Sequence, residues 1–349
     1  MEAISLFCGA GGMDIGFEKA GVSVLWANEF NVDAVNTYRA NHPTTNVVHA
    51  DIRIAKKQLF EYLNKGIDLV FGGPPCQGFS VAGKMDPDDE RSTMVWEFLD
   101  VVEIVSPKYF VMENVKALGV LDRWKQVREK IYKRATELGY YCFSIVLNAA
   151  DYGVPQKRER VFFIGIKNGD SESAARFEEI LIGKKRSRQS LRECLLKVGK
   201  VGSKENPLSC TAKITLAVNP IIRKSPYAGM LFNGMGRPLN FEDQANTLPA
   251  SMGGNKTPIV DELLLQNPDE ENWIVSYHQK LINEGKFERL PEVPSHLRRL
   301  TIREAAAIQT FPSDYVFCGE KSSIYRQIGN AVPCDLAQAV AETVVEISK

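Results

Sequence analysis

The chain lacks several features that would assign a protein quickly. Its seven cysteines, Cys8, Cys76, Cys142, Cys194, Cys210, Cys318 and Cys334, include no CxxC pair. Zinc-ribbon and thioredoxin-like chemistry therefore have no ligand or redox pair, no metal is expected, and a disulfide framework does not suit 349 residues. No apolar run approaches the roughly 20 residues needed to cross a bilayer. The start, "MEAISLFCGAGGMD", has no basic region ahead of a long apolar one, so it does not read as a secretion signal. The expectation is a reduced, cytoplasmic compartment with no membrane. Charge of one sign is also missing. The 43 basic and 43 acidic residues exclude a uniformly basic coat but leave local patches open. There is no Walker lysine, so phosphates are not the obvious target of any glycine loop.

What is present is alternation. Short apolar runs fall at 3–7, 22–27, 46–49, 68–71, 109–112, 142–147 and 160–166, and helical patterns lie between them. At 122–138, for example, Trp124, Val127, Ile131 and Leu138 share one face. Repeated strand and helix imply an α/β fold, a doubly wound, mostly parallel sheet covered on both faces, with ligands at the carboxyl ends of the strands. After about residue 167 the text becomes rich in Gly, Pro and Asn and loses helical period, which suggests a smaller irregular domain over 169–296. Order returns in "RRLTIREAAAIQTFP", where Thr301 and Glu304 form a capping box, and a last helix starts near Pro333. The expected division is a domain of 1–168 plus 297–349, and a second of 169–296.

The chemistry collects at the expected strand ends. "FCGAGGMDIGF" places a glycine turn after the first strand, where backbone can approach a ligand. It fails the dinucleotide fingerprint, because Asp14 stands where the third glycine belongs. Glu29 ends the second strand and can bridge the hydroxyls of a ribose. Asp51 and Ile52 end the third and can take an exocyclic amine and pack on a purine face. A lone acid at a strand end is ordinarily a helix cap. The turn and both acids together suggest a nucleoside cofactor.

The fourth strand runs into "GGPPCQGFS". Most cysteines are buried and inert. Cys76 instead follows two prolines that stiffen its loop, and such a thiolate becomes a nucleophile when a cation or helix N-terminus lowers its pKa. Residues 77–93, polar and glycine-containing, read as a lid. The fifth strand ends in "MENV", setting Glu113 and Asn114 level with Cys76. A nucleophile beside a carboxylic acid suits attack on an unsaturated ring while a ring nitrogen is protonated. In "QKRERVF", Arg158 and Arg160 alternate as strand neighbours on one side and could position the acid, the base or a phosphate.

These motifs resemble those of bacterial-type DNA (cytosine-5)-methyltransferases. "FCGAGG", "NEF", "ADI", "GGPPCQGFS", "MENV", "QKRERVF", "RRLTIREAAAIQTFP" and "QIGNAVP" stand in that family's order, over 1–166 and 297–349. The resemblance implies a class I, Rossmann-like S-adenosylmethionine-dependent methyltransferase sheet with a small target-recognition domain. It implies that Cys76 is the nucleophile, Glu113 the acid at the cytosine ring, and Arg160 the group holding both base and Glu113, with Arg158 and Gln156 in support. The cofactor S-adenosylmethionine would contact Phe7, Gly9, Gly11, Gly12, Glu29, Phe30, Asp51, Ile52, Pro75 and Met94, and Asn330, Ala331 and Val332 at its methionine end. Gln77 and Ser80 would move onto double-stranded DNA with the loop. "ANTLPASMGGN" contains Thr247-Leu248, similar to the pair that anchors recognition domains. Arg223, Lys224, Arg237 and Lys256 are candidates for DNA contacts, although solvated loop residues are the plainer reading of each. The resemblance also implies base flipping, a monomer acting near the nucleoid, and a cognate restriction endonuclease as partner where one exists. Three rivals remain: a tRNA cytosine-5 methyltransferase on the same fold, an inactive DNA-binding relative, and a nucleotide-binding oxidoreductase, which the failed fingerprint disfavours.

Overall fold

Strands of this chain are apolar on both sides, as strands covered by helices on two faces must be. In the computed structural model, residues 1–62, 66–75, 94–285 and 290–349 are described. Eight strands come first: β1 (Glu2–Leu6), β2 (Ser23–Glu29), β3 (Asn46–His49), β4 (Leu69–Gly72), β5 (Tyr109–Val115), β6 (Tyr140–Asn148), β7 (Gln156–Lys157) and β8 (Glu159–Lys167). Seven of them make one sheet in the order β3-β2-β1-β4-β5-β8-β6. Pairs from β3 to β5 are parallel, and β8 is antiparallel to both neighbours. The expected doubly wound sheet is thus present, with one strand reversed. Strand bounds differ from the apolar runs by at most three residues, because ladder bonds continue into polar ends such as "ENV".

Helices α1 (Gly12–Lys19), α2 (Val32–Asn41), α3 (Ile52–Ala55), α4 (Met94–Val105), α5 (Lys116–Val120) and α6 (Lys125–Glu137) alternate with the strands. The stretch expected as one helix over 122–138 opens instead with a 3-10 turn at Asp122–Trp124. Successive strand residues feed different cores. Val111, Phe162 and Ile164 pack with α1 and the last helix. Phe110, Met112, Val161 and Phe163 pack with α4 and α6 on the other face.

Beyond β8 come α7 (Ser171–Gly183), α8 (Leu191–Val198), β9 (Leu216–Ile221), β10 (Met230–Phe232), β11 (Ala245–Asn246), β12 (Ile259–Asp261), α9 (Glu262–Gln266), α10 (Trp273–Glu284) and β13 (Leu297–Arg299). These strands pair only two at a time. Phe177 and Leu181 of α7 join the core of the sheet. Leu216, Leu231, Phe232, Ile259, Ile274, Tyr277, Leu281 and Leu297 make a small core of their own. The chain then returns through α11 (Ile302–Ile308), α12 (Lys321–Asn330) and α13 (Cys334–Ile347). Thr301 and Glu304 close the expected capping box in both directions. None of the helices described is long and apolar enough to cross a membrane.

Candidate active site

Parallel registry brings the carboxyl ends of β1, β4 and β5 level: Leu6 lies opposite Gly72, and Gly72 opposite Met112. The residues that follow are therefore neighbours: Phe7 with its glycine turn, Gly73 to Pro75, and Glu113. The turn itself is made by left-handed backbone at Phe7 (φ 52°), Gly9 (φ 54°) and Gly11 (φ 79°). For Phe7 this conformation is uncommon, and such residues cluster at functional sites.

Glu113 is buried, and one carboxylate oxygen lies 2.8 Å from Nε of Arg160. Arg160 stands on β8 opposite Val115, so the antiparallel pairing of β5 with β8 sets this contact. Burial pushes the Glu113 carboxyl above its ordinary range, while Arg160 and then Arg158 pull it back. A Cβ at Gly73 would come 2.9 Å from Glu113 Oε2, so a glycine is what lets the loop after β4 approach the acid. Asn114 extends the tie by donating from Nδ2 to the Pro74 carbonyl at 3.2 Å. Cys76, Gln77 and Ser80, with the expected lid at 77–93, lie outside the described residues.

Arg158 and Arg160 do not share a task. Residue 158 is a break between β7 and β8, so the two-residue alternation is interrupted there. Arg158 is buried and donates to the carbonyls of Gly329 (3.0 Å), Asn330 (3.4 Å) and Leu248 (3.4 Å). It fastens the end of α12 and the Thr247-Leu248 segment to the sheet. Gln156 does likewise: Oε1 accepts from Leu248 N–H, and Nε2 donates to Gln309 Oε1 at 2.9 Å. Gln309, which sequence reasoning passed over, donates on to the carbonyls of Ile328 and Ala331. Its only signal was a polar residue on the apolar face of the "AAAIQTF" helix.

Around the glycine turn, Glu29 accepts the N–H groups of Gly9 on Oε2 and of Phe30 and Asn31 on Oε1. Burial raises its pKa, opposed by those three N–H groups. Phe30 is 72% exposed. Asp51 caps α3 through Arg53 N–H and pairs with the Arg53 guanidinium at 2.6 Å, which holds its carboxyl below the usual range. Ile52 behind it is buried. Asn330, Ala331 and Val332 come back to the turn: a Cβ on Gly12 would lie 2.7 Å from the Val332 carbonyl. Pro75 is exposed and Met94 half-buried at the start of α4.

In the region after β8, Thr247 donates its hydroxyl to the Lys157 carbonyl at 3.0 Å, and β11 pairs parallel with β7. Arg237, exposed, donates Nε to the Ala228 carbonyl. Arg223, Lys224 and Lys256 are exposed. The six described cysteines, all but Cys76, are free, and among the described residues no cluster of metal-ligating side chains occurs.

The strand order, with ligand-type turns at the ends of β1, β2 and β3 and an acid–guanidinium pair at the ends of β5 and β8, is that of a class I methyltransferase. A solved structure of the Entamoeba histolytica methyltransferase EhMeth superposes with a TM-score of 0.69 at 19% identity, over 100% of this chain and 99% of that one, which shows the fold. Among curated relatives, the type II methyltransferase M1.HphI of Haemophilus parahaemolyticus is 34% identical over 99% of this chain and 87% of its own length. M.NgoPII of Neisseria gonorrhoeae is 32% identical over 99% of this chain and 95% of its own. The profile described as C-5 cytosine-specific DNA methylase matches residues 1–346, and the chain belongs to that family. It is an enzyme that methylates cytosine in DNA at carbon 5.

Proposed function

We propose that the methyl donor is S-adenosylmethionine, bound on the glycine turn, and that Cys76, Glu113 and Arg160 carry the reaction on a cytosine flipped out of double-stranded DNA. The residues at the turn suit that donor. Space is open beside Gly9. Glu29 Oε2 and Asp51 Oδ2 each accept a single hydrogen bond, which leaves a lone pair for a ribose hydroxyl and an exocyclic amine. Phe30 offers exposed apolar surface for a purine, Ile52 backs it from behind Asp51, and Phe7, Gly11, Gly12, Pro75 and Met94 lie around it, with Asn330, Ala331 and Val332 at the methionine end. Once bound, the donor supplies an electrophilic sulfonium methyl group.

The chain's own part is to make cytosine nucleophilic. Addition of the Cys76 thiolate at carbon 6 moves ring electrons towards carbon 5, and Glu113 holds a proton at N3 to receive them. A carboxyl raised by burial and steadied by Arg160 is well matched to that proton. Carbon 5 can then take up the methyl group, and loss of its proton to solvent with departure of the Cys76 thiolate restores the ring. A stacked base is out of reach, so it must leave the duplex, at a cost of a few kilocalories per mole offset by loop and phosphate contacts. We assign those contacts to Gln77, Ser80, Arg237, Thr247 and Lys256. In this reading Arg158 positions rather than reacts.

Residues 1–168 plus 297–349 form the catalytic part of this proposal, and 169–296 the recognition part. In this proposal the chain acts as a cytoplasmic monomer, and the type II names of the relatives favour a role in protecting DNA against a cognate endonuclease. The observation that carries the proposal is Glu113 paired with Arg160 at the same sheet edge as the glycine turn. Bisulfite sequencing of DNA from cells expressing the chain tests it. Unconverted cytosine in one recurring context is expected, lost completely in C76A. Full conversion with the wild-type chain, or protection by C76A, overturns it.

A further inference from the structure

Behind the glycine turn lies a group of side chains that the chemistry above does not use. Tyr315, buried in the segment after α11, donates its hydroxyl to the Ala10 carbonyl at 2.6 Å, inside the turn itself. The same oxygen lies 3.0 Å from Nε2 of His42, which follows α2 and is also buried. Nδ1 of His42 meets both carboxylate oxygens of Glu18 on α1, at 2.9 and 3.0 Å. The imidazole stacks on Tyr38, centroids 4.2 Å apart. Tyr38 in turn donates to Asp14 Oδ1 at 2.8 Å.

Counting hydrogens fixes the direction of these bonds. Tyr315 has one hydroxyl hydrogen and gives it to Ala10, so Nε2–H of His42 must be the donor of the second bond. Glu18 meets the same ring from the other side, at Nδ1. The chain of contacts therefore starts at an exposed carboxylate and ends on a backbone carbonyl of the turn. Nothing stands between them and the backbone: a Cβ on Gly11 would lie 2.5 Å from His42 Nε2 and 2.7 Å from the Tyr315 hydroxyl.

We propose that Tyr315 and His42 are positioning residues, a brace that holds the Ala10 carbonyl and so keeps the glycine turn in the shape that receives the methyl donor. The inference rests on the reading that the donor binds this turn. Its parts come from three separated stretches, 10–18, 42 and 315, so closure of the turn depends on the return of the chain after the region 169–296.

Titration calorimetry with S-adenosylmethionine tests the brace on full-length Y315F, H42Q and H42N, beside DNA binding measured without the donor. Loss of a buried hydrogen bond of this kind is expected to weaken donor binding about tenfold in Y315F. H42N, whose amide lies near Nδ1, should lose as much. H42Q, whose amide lies near Nε2 and can still donate to Tyr315, should come back to within about threefold of wild type. DNA binding stays unchanged in all three. Donor binding by Y315F equal to wild type overturns the brace, and so does an equal loss of donor and DNA binding, which would mark a merely structural role. If Y315F does not fold, H42Q against H42N decides alone, and equal affinities overturn the brace. Wild-type protein that binds no S-adenosylmethionine overturns the cofactor reading and the brace together.

Discussion

Around Glu113 each neighbour is delivered by a strand packed on both sides, whereas around Thr247 the neighbours are turns and two-residue strands. Five successive residues of β5, from Phe110 to Asn114, are buried. β9, in the region 169–296, has one buried residue in six. The first arrangement gives a side chain a position set by strand register and by two cores. The second gives a surface whose shape depends on many local turns, fastened to the sheet at a few points such as Arg158 and Gln156. Chemistry that needs placement within about half an ångström sits on the rigid element. Reading a DNA sequence needs varied contacts instead, and those suit loops.

Four outcomes would sharpen or break that contrast. The largest effect is expected from E113Q, which keeps shape but loses the titratable proton. Its kcat should fall by about 10²–10⁴, with donor and DNA affinities near wild type in stopped-flow methyl-transfer assays. A fall of less than tenfold would place the acid elsewhere. Next, F110A and F232A each remove a buried ring, at a cost of about 3–5 kcal/mol. F110A lies in the core of the sheet and should abolish both donor and DNA binding. F232A lies in the small core and should weaken DNA binding while donor binding persists. If F232A loses donor binding equally, the two regions are one cooperative unit.

The third outcome concerns pH. Burial raises the Asp14 carboxyl from 3.8 to about 6, with His42, Ser5 and Tyr38 opposing and Glu18 adding. A carboxyl whose folded pKa is raised contributes its full stability below the unfolded value, and that contribution is lost as pH rises through about 6. D14N keeps an oxygen for the Tyr38 hydroxyl. At neutral pH it should be more stable than wild type by about 3 kcal/mol in urea unfolding, the gap closing below about pH 4. A gap that widens on acidification would reverse the sign. The smallest effect is that of T301A. Loss of the cap on α11 should cost about 1–2 kcal/mol and lower the melting temperature with kcat almost unchanged.

Much of this fold was legible because strands covered on both faces are written as plain apolar runs, and "YFV" and "RVFFIGI" needed no partner to be recognised. The capping box at Thr301 was legible for the same reason, since all its atoms lie within one turn. Arg158 was not. Period-two reasoning put it beside Arg160, and only the break after β7 turns it to the carbonyls of Gly329 and Asn330, 171 and 172 residues away. Gln309, His42 and Tyr315 were invisible as site residues because each bonds to backbone or side chains far off in the chain. Asp51 shows both sides: the strand-end acid was found, and its pairing with Arg53 two residues on was not anticipated.

Local chemistry by itself determined most of the elements, the glycine turn and the acid at the end of β5, because periodicity and residue type are properties of short stretches. Tertiary structure decided which of these meet. The β5–β8 register puts Arg160 against Glu113, and the return of the chain after the region 169–296 sets Val332 and Tyr315 against the turn between β1 and α1. The Tyr315 contact alone joins residues 305 positions apart, and no local rule can specify a distance that only closure of the whole sheet creates.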